Sequence, residues 1–252
     1  MAKEHIQNKA ELVELCADLL HSPKEIARLG CRYCNGDGVE KDYDIGCSLF
    51  KKAAELGDIY SMYLLGLIYS REDYDKHDPE ISAMWYLRAA ERGDDEAQFM
   101  MGVLYDNGRG VELDDSKAFC WYKKSALQGL MNAQFNVGYD YEYGIGVPQS
   151  YRLAANWYKL AVNQGSEQAM NNLGRMYAKG LGVVKDENKA FQLIMDSAHR
   201  GNPPAMVNLG DYFQHGIGCQ RNYATAKEWY LKAKEKGSDV SEYLSVLESQ
   251  YK

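Results

Sequence analysis

The sequence predicts an all-α solenoid of six 36-residue helix-turn-helix repeats with a capping helix at each end. Three observations carry this reading. Gly30, Gly66, Gly102, Gly138, Gly174 and Gly210 recur at one fixed step of 36 residues. A second series, Gly57, Gly93, Gly129, Gly165, Gly201 and Gly237, follows each of them by 27 residues. Between the two series lies a recurrent aromatic pair, Trp85-Tyr86, Trp121-Tyr122, Trp157-Tyr158 and Trp229-Tyr230. The chain reads as one solenoid domain over 1–252, with repeats at 22–57, 58–93, 94–129, 130–165, 166–201 and 202–237.

Residues 8–21 open the chain as an amphipathic capping helix, with Leu12, Val13, Leu15, Cys16, Leu19 and Leu20 on one stripe. Ser22-Pro23 then starts the first repeat, serine at the N-cap and proline at the first helical position. Helix A of each repeat carries a glycine three residues before an aromatic, as in Leu65-Gly66-x-x-Tyr69 and Leu173-Gly174-x-x-Tyr177. A mid-helix glycine costs about 1 kcal/mol against alanine, so six at one register imply a close approach between helices. Gly36/Gly38, Gly108/Gly110, Gly144/Gly146, Gly180/Gly182 and Gly216/Gly218 follow as tight connections. They lack the preceding strand and the GK[ST] of a phosphate loop.

Helix B opens on Asp42, Asp78, Asp114, Asp186 or Asn222 as N-cap. It presents the aromatic pair, or Leu49-Phe50 and Leu193-Ile194 in repeats one and five, and then a small residue: Ala53, Ala89, Ser125, Ala161, Ser197 or Ala233. The tryptophans are read as packing between units. The closing glycine suits a left-handed C-terminal cap. The connection of repeat two, 70–78, has no glycine and reads as a degenerate, charged surface loop. Its Asp73, Asp75 and Asp78 lack the central glycine and glutamate spacing of a calcium loop. A last helix starting at Ser238 closes the array.

Composition narrows the function. The net charge is −7 and the pI near 5.3, which argues against a nucleic-acid surface. Charge is uneven, with 8 basic and 14 acidic residues over 58–129 but 10 basic and 7 acidic over 166–237. No apolar run approaches the roughly 18 residues of a membrane span, and the start lacks a secretory pattern, so the expected location is cytoplasmic. Six cysteines follow no repeat-wise pattern, which fits a reducing compartment. Cys31 and Cys34 form a lone CxxC inside a helix, without the second ligand pair a zinc site needs.

The pattern of Ala169-Met-Asn-Asn-Leu-Gly-Arg-Met-Tyr177 and Asp114-Asp-Ser-Lys-Ala-Phe-Cys-Trp-Tyr122 resembles the Sel-1-like repeat, a relative of the tetratricopeptide repeat. The resemblance covers residues 22–237. It implies a right-handed α/α superhelix with A helices lining a concave surface, and adaptor, scaffold or regulatory roles. The disulfide per repeat of the family's cysteine-rich members is missing here. Some members are linked to β-lactam chemistry, but His5, His21, His77, His199 and His215 lie at scattered repeat positions without a matched nucleophile or metal set. The sequence is therefore read as non-catalytic, with no cofactor and no metal.

By analogy to tetratricopeptide repeats, the ligand-facing residues of helix A are Tyr60, Tyr63 and Leu67, then Phe99, Val103 and Asp106. Asn132, Phe135, Tyr139, Glu142 and Tyr143 follow in repeat four, and Gln168, Asn171, Arg175 and Lys179 in repeat five. Exposed apolar side chains clustered there would mark an interaction site; the alternative is that curvature buries them between neighbouring A helices. The expected function is a protein-interaction module holding a peptide segment or protein in its groove, with Arg175 or Lys179 available to a carboxylate. The alternative is a bacterial immunity or inhibitor protein that neutralises a toxin or enzyme by stoichiometric binding. Neither a nucleic acid nor membrane insertion is expected.

Overall fold

The computed structural model describes residue 20 and residues 22–250. The capping helix expected over 8–21 lies outside the described residues, apart from Leu20, which packs against the core of repeats one to three. The described residues form thirteen helices and no strand. They fall into two compact units that meet in sequence at Gln128 and Gly129. The first holds α1 (Pro23–Asn35), α2 (Tyr43–Glu55), α3 (Ile59–Tyr69), α4 (Pro79–Glu91), α5 (Asp95–Asn107) and α6 (Asp115–Gln128). The second holds α7 (Met131–Tyr143), α8 (Tyr151–Asn163), α9 (Glu167–Lys179), α10 (Glu187–His199), α11 (Pro203–His215), α12 (Tyr223–Glu235) and α13 (Ser241–Gln250). Odd-numbered helices up to α11 are the A helices of the six repeats, and each packs against the B helix that follows it.

Side-chain caps set where the helices start. Asp42, Asp78, Asp114, Ser150, Asp186 and Asn222 each accept a hydrogen bond from a first-turn amide of helix B. Asp58, Asp94, Ser166 and Asn202 do the same for helix A. Ser22 and Leu130 precede α1 and α7 without a side-chain cap. Chain reversal after helix B uses glycine in the left-handed region, for example Gly57 at φ 93°.

The repeat glycine of helix A is a notch for one side chain of helix B. A Cβ placed on Gly66 would stand 2.6 Å from a ring carbon of Tyr86; on Gly138 it would stand 2.7 Å from Tyr158. Gly30, Gly102, Gly174 and Gly210 make the same room for Phe50, Tyr122, Ile194 and Tyr230. The close approach is thus chiefly of a side chain onto a backbone. Tyr86, Tyr158 and Tyr230 are wholly buried by it, each burial favouring the fold by roughly 1.5–3 kcal/mol. The small residues of helix B are all fully enclosed, and the hydroxyls of Ser125 and Ser197 donate to the carbonyls of Asp95 and Glu167. Of the paired tryptophans, Trp85 and Trp229 are buried and Trp121 and Trp157 half-buried.

Two expectations change. The connection 70–78 is not merely a charged surface loop, because Tyr74 at its centre is only 4 % exposed. Its ring meets Tyr43 and Tyr69 edge-on at 5.6 and 5.8 Å. Its hydroxyl donates to Asp44 Oδ1 at 2.7 Å, and Lys76 Nζ donates to Asp44 Oδ2 at 2.5 Å. The segment is pinned to the helix B of the preceding repeat. The last helix begins at Ser241 rather than Ser238, since Asp239 Oδ1 accepts from the Ser241 amide at 3.1 Å. Val240 and Leu247 are buried beneath it.

Candidate protein-interaction surface

In the first unit the expected residues separate into two layers. Tyr63 lies 5.7 Å from Tyr86, and Phe99 lies 5.7 Å from Tyr122, centroid to centroid. Each is half-buried on the ring that fills the neighbouring glycine notch. Val103 is half-buried as well, whereas Tyr60 is 56 % exposed and Leu67 39 %. The Tyr60 ring stacks on Tyr63, centroids 6.1 Å apart and planes 20° apart. Tyr60, Leu64 and Leu67 border a shallow cavity of about 240 Å³ whose other wall includes Cys31, Cys34 and Tyr43. Burial raises both thiols, Cys34 to about 12, so neither is a thiolate near neutral pH. Among the described residues no cluster of His, Cys, Asp and Glu could hold a metal.

In the second unit the same two layers recur. Phe135 leans on Tyr158 at 5.9 Å, while Tyr139 and Tyr143 face outward 4.5 Å apart. Their exposures are 40 % and 48 %. Beneath them runs a chain of polar contacts. Tyr158 donates to Glu142 Oε2 at 2.7 Å, and Arg175 Nη2 donates to Glu142 Oε1 at 2.9 Å. Asn172 donates to the Tyr158 hydroxyl at 3.0 Å, Asn171 to Asn172 at 3.3 Å, and Asn208 to Asn171 at 2.8 Å. Burial, then the charge and hydrogen bond of Glu142, hold the Tyr158 phenol far above its ordinary range.

This network moves three residues away from the surface role drawn from the sequence. Glu142 and Asn171 are buried, and Arg175 already holds a carboxylate of its own chain. Lys179 and Gln168 remain exposed. A sequence pattern stood behind this. Where helix B places a tyrosine in the notch, the A-helix residue four after the glycine is polar: Ser70, Asp106, Glu142 or Gln214. Where the notch holds Phe50 or Ile194, that residue is Cys34 or Ala178. Tyr158 donates to Glu142 and Tyr230 to Gln214, at 2.7 and 2.8 Å. Tyr86 Oη is buried without a well-formed hydrogen bond, Ser70 lying close enough only to offset part of the rise that burial gives the phenol.

A larger cavity, about 590 Å³, lies between α2 and the connection 70–78 and is lined by Asp44, Cys47, Lys51, Tyr69 and Tyr74 among others. Ser48 and Lys51 beside it have the S-x-x-K spacing of serine acyl-transfer enzymes. Ser48 sits in the second turn of α2, where backbone amides are engaged within the helix, so its own amide is not open to an oxyanion. Lys51 Nζ lies over the Tyr69 ring, 5.5 Å from its centroid.

Six Sel1 repeat matches cover residues 26–58, 59–94, 95–130, 132–166, 167–194 and 203–238. The chain belongs to the Sel1 repeat family. It is similar to a protective antigen of uropathogenic Escherichia coli displaying an SLR fold, at 31% identity and a TM-score of 0.83. That alignment covers 92% of this chain and 50% of the antigen, so the chain spans about half of that protein's length. A Sel1 repeat protein from Oxalobacter formigenes is 28% identical with a TM-score of 0.78, over 86% of this chain and 88% of that one. No curated protein matches. Sel1 repeat proteins are generally protein-interaction modules. Among the described residues, no helix is long and apolar enough to cross a membrane.

Proposed function

We propose that this Sel1 repeat protein is a non-catalytic interaction module that engages a protein or peptide segment on the A-helix faces of its two units. The observation that carries the reading is the outer aromatic layer, Tyr60 with Leu67 on α3 and Tyr139 with Tyr143 on α7. Tyr60 lies against Tyr63 and Tyr139 against Phe135, one layer outside the notch-filling Tyr86 and Tyr158. Most other exposed large apolar residues, such as Leu56, Met84, Leu113, Leu127 and Leu160, occur one to a helix or connection, and scattered residues of that kind are ordinary surface. Tyrosine is enriched in interface cores and hot spots. A cytoplasmic setting fits the five described cysteines, all of them free thiols.

The test is affinity capture from native lysate with the wild-type chain and a Tyr60→Ser/Tyr139→Ser variant. Both sites are well exposed, so the fold should persist, as a circular dichroism melt would check. Loss of a stoichiometric partner from the variant is expected, equivalent to about 2 kcal/mol or more for a hot-spot side chain. An unchanged partner, captured at unchanged affinity, would place the interface elsewhere.

A further inference from the structure

We infer that the A-helix face of the first unit docks an arginine or lysine of its partner segment, seated on the Tyr60–Tyr63 ring pair with Glu96 as counter-charge. The inference rests on the interaction-module reading and adds to it the chemistry of the occupant.

Two independent observations carry it. The first is a contrast among aromatic rings. Lys124 lies 3.7 Å from the centroid of Trp121, Lys232 4.2 Å from Trp229 and Arg88 4.6 Å from Trp85. Tyr43, Tyr69, Tyr105, Tyr177 and Tyr223 also carry a cation of their own chain. Among the described residues no cation lies over Tyr60 or Tyr63, which are near-parallel, with Tyr60 largely exposed. An aromatic face attracts a cation placed over it, and this pair is free to do so.

The second observation is uncompensated negative charge at the same place. Glu96 and Asp94, in and just before the first turn of α5, raise the phenol of Tyr63 through their charge, after burial. The repeat register sets them there: Glu96 follows Tyr60 by 36 residues and so holds on α5 the first-turn position that Tyr60 holds on α3, the A helix of the repeat before. Burial, then Asp95 and Asp94, also push the Glu96 carboxyl upward. No ion pair among the described residues answers Asp94, Asp95 or Glu96, whereas Asp44, Asp73, Asp114, Glu142 and Asp186 each hold a cation. Acidic residues in a first turn favour the helix dipole. That accounts for their sign, but a helix start has no need of stacked tyrosines beside it. Residues 58–129 are also the acidic part of the chain, with 14 acidic against 8 basic side chains, which would draw a basic segment toward this face.

The register gives the spacing of the ligand. Tyr60 and Leu67 are seven residues apart on α3, about 10 Å along the helix. An extended peptide covers that distance in about three residues. The matching segment therefore carries its cation and an apolar side chain three positions apart.

Three octapeptides test this, identical except for arginine, citrulline or glutamate placed three residues before a leucine, each titrated into isotopically labelled full-length protein and followed by NMR. The arginine peptide should shift amides of α3 and of the first turn of α5, and bind roughly 3- to 10-fold more tightly than the citrulline peptide. The glutamate peptide should bind most weakly. Glu96→Gln and Tyr60→Ser should each reduce the preference for arginine, with resonances away from the face unmoved. Equal binding of the arginine and citrulline peptides, or a preference untouched by Glu96→Gln, overturns the cationic assignment and leaves the module reading in place. No shift on α3 or α5 with any of the three peptides at millimolar concentration overturns the assignment, and the module reading fails with it if the lysate partner also ignores Tyr60→Ser/Tyr139→Ser.

Discussion

Tyr86 and Tyr158 occupy the same repeat position, yet their hydroxyls face different chemistry. The oxygen of Tyr86 is buried with no well-formed hydrogen bond and only Ser70 acting weakly on it, while that of Tyr158 donates to a buried carboxylate and accepts from Asn172. Removing an unpaired buried polar atom relieves a desolvation cost, whereas removing one from a satisfied network leaves its partners exposed to the same cost. Tyr86→Phe should therefore be neutral or stabilising. Tyr158→Phe should destabilise by about 1.5–3 kcal/mol, the range for hydrogen bonds to charged groups. Paired urea titrations of the two variants would decide this, and equal destabilisation by both would refute it.

At the scale of one element, the connection 70–78 is held by Tyr74 and by the pairing of Asp44 with Lys76. Hydrogen bonds from Lys76 and then Tyr74 hold the Asp44 carboxyl below its ordinary 3.8, and the bond to Asp44 raises Lys76 above its ordinary 10.5. A depressed acid contributes stability above its unfolded value and loses it as pH falls through the lower folded value. A raised base contributes below its unfolded value and loses it as pH rises through the higher folded one. The ring resonances of Tyr74 should hold steady between those limits and move toward exposed values below 3.8 and above 10.5. Asp44→Asn should produce the same loosening at neutral pH; a Tyr74 environment unchanged in that variant would show the clamp to be idle. None of this was legible in the sequence. The segment carries six charged residues among its nine, which reads as solvated surface, and its tyrosine has no counterpart at that position in the other repeats. Only the packing of α2 beneath it supplies the cleft that Tyr74 fills.

For the molecule as a whole, the repeat was legible because each of its parts is local: caps, left-handed glycines and a ring 20 residues after each notch glycine. The candidate surface was less so. Tyr60 and Tyr63 are the same residue type three positions apart, and what separates them is whether a helix B ring lies beneath. Asn171 and Arg175 were placed by register on the surface, but contacts to Asn172, Asn208 and Glu142, from other repeats or the same helix, engage them. The chain divides between its two compact units at Gln128 and Gly129, within a residue of a repeat boundary, and solenoid stability is approximately a sum of repeat and nearest-neighbour terms. Fragments ending at Gln128 and beginning at Gly129 should each be helical by circular dichroism and melt cooperatively. A fragment that stayed unfolded in isolation would mean that its repeats need the other half.

The notch and its ring also act as a ruler. Glycine to ring is 20 residues in every repeat: Gly30 to Phe50, Gly66 to Tyr86, Gly102 to Tyr122, Gly138 to Tyr158, Gly174 to Ile194 and Gly210 to Tyr230. Such a device measures the length of the intervening connection. Adding or deleting one residue would turn helix B by about 100° and aim a different side chain at the notch. Composition is constrained separately, where the connection touches the preceding repeat: a Cβ on Gly110, Gly182 or Gly218 would stand 2.0, 2.2 or 2.1 Å from the backbone of Pro79, Tyr151 or Glu187. The connection 70–78 keeps the length with Tyr74 where the other repeats have Gly38, Gly110, Gly146, Gly182 and Gly218, so in this one repeat the count of residues is preserved while the contact to the preceding helix B is made by a buried ring.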